Sequence, residues 1–334
     1  MAHLLPATTL QVVDILNDCK VHTGTDIAEA LGISRAAVWK VIQRLKKYNI
    51  TIHSQHQGYH LNFPLFLLKK EKIESFLKDS RITLEVFESI SSTNDYLKNK
   101  SPLKNLHFCL AEHQTKGRGR LGRSWVSPFG RSIYCSFSYI FNKDMSEMSG
   151  LSLIIGIAIA NALESLNPAI QPFLKWPNDI YVQHKKMGGI LIDLIAEAYG
   201  NCKAVIGFGL NINMQDIALE EIDQPWSSLE HTLQSKMDRN FVVARIIQFI
   251  LKSLDVFLDQ GLAPFLSEWS RYDLLKDQKI SISTQQSVIS GIARGIDDKG
   301  FLRLELPSGD IKKFSYGDTT LLKNLASGIK KSAS

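Results

Sequence analysis

Cysteine is scarce in this 334-residue sequence, and the four present, Cys19, Cys109, Cys135 and Cys202, are too far apart for a CxxC pair. The nine histidines show no HExxH or similar ligand spacing. A zinc site is therefore not expected, and reduced thiols fit a cytoplasmic setting. Long apolar runs are missing too. The longest, residues 151–163, falls short of the roughly 20 residues that span a bilayer and contains Ser152 and Asn161, so it predicts a buried core helix and no membrane partner. The opening MAHLLPATTL has neither a basic segment nor a long apolar stretch before a small-residue cleavage site, and export is not expected. No low-complexity tract or collagen period occurs; with 44% hydrophobic and 22% charged residues, a fibrous or disordered chain is excluded. At roughly 100 to 200 residues per domain, two or three domains follow.

Net charge is only +6, but acid is absent from two stretches. Residues 31–60 carry Arg35, Lys40, Arg44, Lys46 and Lys47; residues 116–131 carry Lys116, Arg118, Arg120, Arg123 and Arg131. Each is a candidate surface for phosphates.

Ahead of the first stretch, residues 10–16 have helical apolar spacing and Thr25 is placed to cap a short helix ending before Gly32; within it, Ser34 is placed to cap a third. That third helix turns Ala37, Val38, Val41, Ile42 and Leu45 inward and leaves Arg35, Lys40, Gln43, Arg44 and Lys47 polar, as a helix in a major groove requires. Residues 51–52 and 59–61 read as short strands around a loop ending at Gly58, the wing of a winged helix. A merely solvated basic face would have the same composition. The stretch TDIAEALGISRAAVWKVIQRL resembles winged-helix transcription regulators, with Ser34, Arg35, Lys40, Gln43, Arg44 and Lys47 as the expected DNA contacts.

In the second stretch, residues 117–122 spell GRGRLG, which satisfies GxGxxG. A dinucleotide fingerprint needs a strand before it and a helix after it, whereas residues 132–141 alternate like a second strand. Kinase glycine loops join strands, but no HRD or DFG element is present. What remains is a loop whose glycines allow close backbone approach and whose Arg118, Arg120 and Arg123 suit phosphate or carboxylate oxygens. So much like charge predicts disorder until an anion binds; a solvated surface loop is the plain alternative.

Further segments accompany this loop: KWPNDI (residues 175–180), KKMGGILID (185–193), the Ser92-Thr93-Asn94 segment, Gln114, and GFGLNIN (207–213). Together, and in their order along the chain, they resemble the signature segments of biotin protein ligases. With the winged helix ahead and short strands over residues 278–322 behind, the resemblance covers nearly the whole chain and is to the bifunctional ligase/repressor kind. It implies an α+β fold: a winged-helix domain over residues 1–64, a synthetase-like mixed β-sheet with helices over 65–273, and a small SH3-like β-barrel over 274–326.

The implied reaction is ATP-dependent formation of biotinyl-5′-adenylate with Mg2+, then transfer of biotin to a lysine of the biotin carboxyl carrier protein. Lys186, expected at a hairpin turn, would be the catalytic cation beside solvated Lys185, with Arg118 and Arg120 on the phosphate. Ser92, Thr93, Asn94, Gln114, Gly117, Gly119 and Gly189 would line the biotin site with Arg118, Arg120 and Lys186. Arg123, Trp125, Asn178 and Asn211 would join Arg118 and Arg120 around the nucleotide, and Asp179 would hold the metal or align the incoming lysine. Trp125 would serve equally as core, residues 178–179 as an Asx turn, and Asn211 as a strand end.

The resemblance also implies an adenylate-bound homodimer on operator DNA, with the carrier protein competing for the same sheet edge. A DNA-binding sensor without ligase activity, and a ligase for a related acid such as lipoate, are the other readings. Two departures stand out: Leu322, followed by Lys323, occupies the place of an arginine that faces the nucleotide in repressor-type members, and Leu121 replaces a frequent basic residue of the loop.

Overall fold

The computed structural model describes residues 3, 4, 6–55, 58–100, 106–142, 145–196, 201–214, 224–284 and 287–322. After a two-residue strand, β1 (His3–Leu4), come three helices: α1 (Ala7–Leu16), α2 (Gly24–Leu31) and α3 (Arg35–Lys47). Thr23, not Thr25, caps α2, in a reciprocal box with Asp26, and Gly32 ends it at φ +63°. Ser34 Oγ accepts from the Ala37 amide at 3.1 Å and starts α3. Val12, Leu16, Ile27, Val38, Ile42 and Leu45 are buried as one core. A hairpin of β2 (Ile52–Gln55) and β3 (Gly58–Leu61) follows as the wing.

Residues 65–69 then cross to the next module without slack. Asn17 bonds both polar backbone groups of Leu65, and the Leu68 amide donates to Glu112 Oε1. Asn240 accepts from the Lys69 amide. Glu112 pairs at 2.5 Å with Arg239, both side chains fully buried, and Arg239 also donates to the Phe66 and Ser132 carbonyls. Removing one member of such a pair strands a charge, at a cost of about 3 to 5 kcal/mol.

An eight-stranded mixed sheet forms the middle of the molecule, in the order β1 (His3–Leu4), β4 (Ile82–Ser89), β5 (Leu106–Ala111), β6 (Ser132–Phe141), β10 (Cys202–Asn211), β9 (Lys185–Ala196), β8 (Asp179–Val182), β7 (Pro172–Lys175). Only β4 and β5 pair in parallel. Alternation sends Leu84, Phe108, Leu110, Ile206 and Phe208 to one face, against α6 (Leu151–Leu166) and α8 (Arg239–Gln260). Phe87, Cys109, Ala111 and Val205 turn to the other face, against α5 (Thr93–Lys98). The apolar run at residues 151–163 is thus the buried helix its composition predicts, and no described helix is long and apolar enough to cross a membrane.

The C-terminal strands correct an expectation. β11 (Lys279–Ser283), β12 (Val288–Ile296), β13 (Leu302–Glu305), β14 (Ile311–Phe314) and β15 (Asp318–Leu321) form a sheet in the order β14-β13-β12-β11-β15, and no ladder joins β14 to β15 among the described residues. The SH3-like barrel is therefore not closed. The two edge strands have four residues each, too short to wrap far, and β12 shifts register between Ala293 and Ile296, bending the sheet without bringing its edges together. Lys323 lies outside the described residues.

Candidate active site

A cavity of about 820 Å³, including its mouth, opens above the centre of the sheet where α5, the glycine–arginine loop and the β8–β9 hairpin meet. Its inner end is polar and closely bonded. Ser92 caps α5 by accepting from the Asp95 amide, which fixes the two residues that follow. Gln114 Oε1 accepts from the Thr93 amide at 2.9 Å and from its hydroxyl at 3.2 Å. Ser136 Oγ lies 2.6 Å from Thr93 Oγ1 and donates to Asn94 Oδ1 at 2.6 Å. Asn94 Nδ2 donates to Asp193 Oδ2 at 3.0 Å. Ser92, Thr93, Asn94 and Ser136 are all buried.

Two glycines of GFGLNIN make room for these contacts. A Cβ on Gly207 would stand 1.9 Å from Asn94 Oδ1, and one on Gly209 would stand 2.7 Å from the Trp125 indole. Trp125 therefore lies on bare backbone, its ring 5.7 Å from Lys186 Nζ and its buried indole N–H without a hydrogen-bond partner.

Lys186 stands two residues into β9, not at the turn, which Gln183 and His184 make with positive φ. Its backbone pairs with the Trp226 segment, through Lys186 N to Pro225 O and Ser227 N to Lys186 O. Its Nζ is 3.0 Å from Asp179 Oδ1; Lys185 is exposed. Asn178 Nδ2 donates to the Ile190 carbonyl at 2.7 Å, so this side chain ties two strands together. Burial holds the Lys175 ammonium below its ordinary pKa, with Asp179 acting against the shift. Among the described residues no three His, Cys, Asp or Glu side chains are grouped to hold a metal.

Acids from three elements answer the charge of the arginine loop. Arg118 Nη2 bonds Asp95 at 2.6 Å and reaches Asp193 at 3.4 Å. Arg120 donates to Asn178 Oδ1 and the Gly317 carbonyl and lies 3.7 Å from Asp318, to which Arg123 is paired as well. Burial lowers the Arg120 pKa, with Asp318 opposing. Within the loop, Gly119 N donates to Arg123 O and Trp125 N to Gly117 O. Leu121, 70% exposed, takes φ +54° at its tip.

The cavity thus gathers Ser92, Thr93, Asn94, Gln114, Arg118, Gly119, Arg120, Arg123, Trp125, Asn178, Asp179, Lys186 and Gly189. Asn211 is not among its lining residues: it is buried at the end of β10 and donates to the Ser227 carbonyl at 3.1 Å. Gly117 sits behind the rim, where a Cβ would meet the Trp125 carbonyl at 2.4 Å. Ser136, Asp193 and Asp318 escaped the sequence reading. Ser136 carried a weak signal, as one of three serines in a strand otherwise apolar; Asp318 comes from the C-terminal sheet and carried none. That sheet reaches the loop through Asp318, while the Leu322 amide donates to the Lys279 carbonyl.

At the other end, α3 exposes Arg35, Lys40, Arg44 and Lys47, with Gln43 half-buried and Ser34 spent on the cap. Trp39, which sequence reasoning passed over, is 54% exposed among them.

Comparison with known proteins agrees with this geometry. Residues 86–211 match the Biotin/lipoate A/B protein ligase family, residues 8–60 an HTH domain and residues 277–320 a Biotin protein ligase C terminal domain. The chain is 36% identical over 314 residues to the Bifunctional ligase/repressor BirA of Salmonella typhimurium, covering 93% of this chain and 97% of that protein. It is 31% identical over 306 residues to the protein of the same name from Bacillus subtilis, covering 90% and 93%. Among solved structures it is similar to the biotin protein ligase of Aquifex aeolicus in complex with biotin and ATP, at 28% identity and a TM-score of 0.62, covering 72% of this chain and 99% of that one.

Proposed function

The chain belongs to the biotin protein ligase family, in its bifunctional ligase/repressor branch, and from that premise we propose how its residues divide the work. It is an ATP-dependent biotin protein ligase. A carboxylate oxygen of biotin attacks the α-phosphorus of ATP and the bond to pyrophosphate breaks; the amine of an acceptor lysine then attacks the mixed-anhydride carbonyl, and AMP leaves. Negative charge develops around phosphorus first and on the carbonyl oxygen second, so preorganised cations matter most.

Lys186, fixed by Asp179 and by its backbone bonds to the 225–227 segment, is the cation at the reacting carboxylate. Arg118 and Arg120 exchange their carboxylate partners for phosphate oxygens, and the loop shuts water away from the anhydride. Trp125, with Arg123 and Asn178 beside it, receives adenine, and Asn211 supports that side through Ser227. A magnesium ion carried by the nucleotide usually takes one or two protein carboxylates beside phosphate oxygens, and Asp179 fits as the one that would hold it. The sulfur-containing bicycle of biotin enters at Ser92, Thr93, Asn94 and Gln114, with the backbone near Gly117, Gly119 and Gly189 alongside. The acceptor is the biotin carboxyl carrier protein of acetyl-CoA carboxylase.

The observation that carries biotin over lipoate is the bonded set Thr93–Asn94–Gln114–Ser136 at the inner end of the cavity. The ureido group of biotin offers donors and acceptors to exchange with such a set; a dithiolane ring offers neither and could not replace any bond that opens to admit it.

The same chain is a repressor, with α3 as the DNA-reading helix and the adenylate as corepressor. Two copies pair through β9, which β8 accompanies only as far as Gly189 and whose later residues present an open edge. Acceptor and second copy compete for that edge. The division at residues 64 and 273 separates these tasks, with the last module ending near 326, beyond the described residues. Biotin-dependent exchange of labelled pyrophosphate into ATP tests the reading, with lipoate and octanoate in parallel. Exchange with biotin alone is expected. Exchange with lipoate instead, or with no acid from folded protein, would overturn it.

A further inference from the structure

The arginine loop is closed at its base by Gln114 and Ser127, whose side chains are 3.4 Å apart. Just outside this closure stand His113 on one side and Phe129 on the other, and both touch a single side chain of the DNA-binding module. Tyr48, the residue that caps the end of α3, stacks on Phe129 with ring centroids 4.3 Å apart and planes 12° apart. Its ring is also 5.3 Å from that of His113. The neighbours of its hydroxyl are the side chains of Glu88 and Ser89, and Ser89 Oγ is 2.9 Å from His113 Nδ1. One turn earlier on α3, Arg44 lies 3.6 Å from Glu88.

Phe129 packs with the core of the winged-helix module. The exit of the loop is thus anchored in the DNA-binding module, and its entry leans on the same tyrosine. A loop that closes over an adenylate gains most when its two ends are already held at the right separation.

Resting on the ligase reading above, we propose that Tyr48 is a positioning residue for the ligase site, holding both ends of the arginine loop from the last turn of the DNA-reading helix. It touches neither biotin nor ATP and acts through His113 and Phe129. Loss of the ring contacts loosens the closed loop, so the adenylate escapes faster and substrates bind less well, while the reacting groups keep their own geometry.

The test uses the full chain with Tyr48→Leu, which keeps apolar volume without the ring, and Tyr48→Phe, which keeps the stack. Pyrophosphate exchange gives KM and kcat, and filtration of preloaded protein gives the release rate of biotinyl-5′-adenylate. Tyr48→Leu is expected to raise KM for biotin and the release rate by about fivefold to tenfold, the scale of a lost aromatic pair, with kcat within twofold. Tyr48→Phe restores wild-type values. Wild-type KM and release in Tyr48→Leu would overturn the proposal. So would a fall in kcat matched by loss of folded protein, or a Tyr48→Phe variant as impaired as Tyr48→Leu. Absence of exchange in the wild type overturns the ligase reading itself, which separates the two failures.

Discussion

Lys186 and Asp179 face each other across the β8–β9 hairpin at 3.0 Å, and the same ammonium lies 5.7 Å from the Trp125 ring. Two independent contacts therefore aim one cation at the floor of the cavity before any substrate arrives. Lys186→Ala should lower the rate of adenylate formation by about 100-fold, as removal of a preorganised charge-stabilising group does, with smaller effects on KM. Single-turnover formation of biotinyl-5′-adenylate measures this, and an unchanged rate would take Lys186 out of the mechanism.

Gly207 offers a test of the inner end of the cavity. Its absent Cβ leaves the space that Asn94 Oδ1 occupies, and the position is central in β10, where backbone has little room to move. Gly207→Ala should displace Asn94 and with it the bonds to Ser136 and Asp193. Overpacking of this sort costs about 1 to 3 kcal/mol, roughly 5- to 150-fold in the Kd for biotin, while the Kd for ATP changes little. Isothermal titration with each substrate separates the two; equal weakening of both would mean that Gly207 governs the sheet as a whole and not the biotin end.

Local apolar pattern alone located the strand at residues 132–141 and the buried helix beginning at 151, because each has a strong local signal. The cations that line the cavity were legible as well, the loop arginines as a like-charged cluster among glycines and Lys186 only through the family resemblance. Their partners were not. Asp95, Asp193 and Asp318 come from a helix, a strand and the C-terminal sheet, and only tertiary packing brings them to Arg118, Arg120 and Arg123. A loop read by itself thus looked self-repelling, whereas in the fold its charge is answered. Barrel closure failed to be legible for a related reason: strand count is local, but whether edges meet depends on bend and shear along the sheet.

Asp273, where α9 (Leu266–Tyr272) gives way to the C-terminal sheet, makes a prediction about pH. Burial pushes its carboxyl up to about 6, although the Leu275 amide donates to it at 2.9 Å. An acid whose folded pKa lies above its unfolded value binds more protons when folded. It therefore favours folding below the unfolded value near 4, and this contribution is lost as pH rises to about 6. Above that the buried charge is a net liability on the order of 2 to 3 kcal/mol. Asp273→Asn should raise the melting temperature at pH 7.5 by a few degrees and give little advantage at pH 4.5. Thermal melts of both proteins across this range decide it, and a difference independent of pH would assign the effect to packing.

The exposed face of α3 separates two kinds of DNA contact by their response to salt. Lys47 is exposed at the end of the helix and has the chemistry of a phosphate contact, which releases a counterion when made. Trp39 is exposed in the middle of the same face and carries no charge, so a contact it makes releases no counterion, and its large ring suits base edges and sugar. Lys47→Ala should weaken binding to all duplexes alike and reduce the slope of log affinity against log salt by about 1. Trp39→Ala should leave that slope alone and instead cost about 1 to 3 kcal/mol on the selected site only. Selection from a randomised duplex pool with adenylate-loaded protein supplies that site, and titrations at several salt concentrations then compare the variants. A Trp39→Ala protein that retained the wild-type preference would place Trp39 outside the DNA contact and leave base recognition to Arg35, Lys40, Gln43 and Arg44.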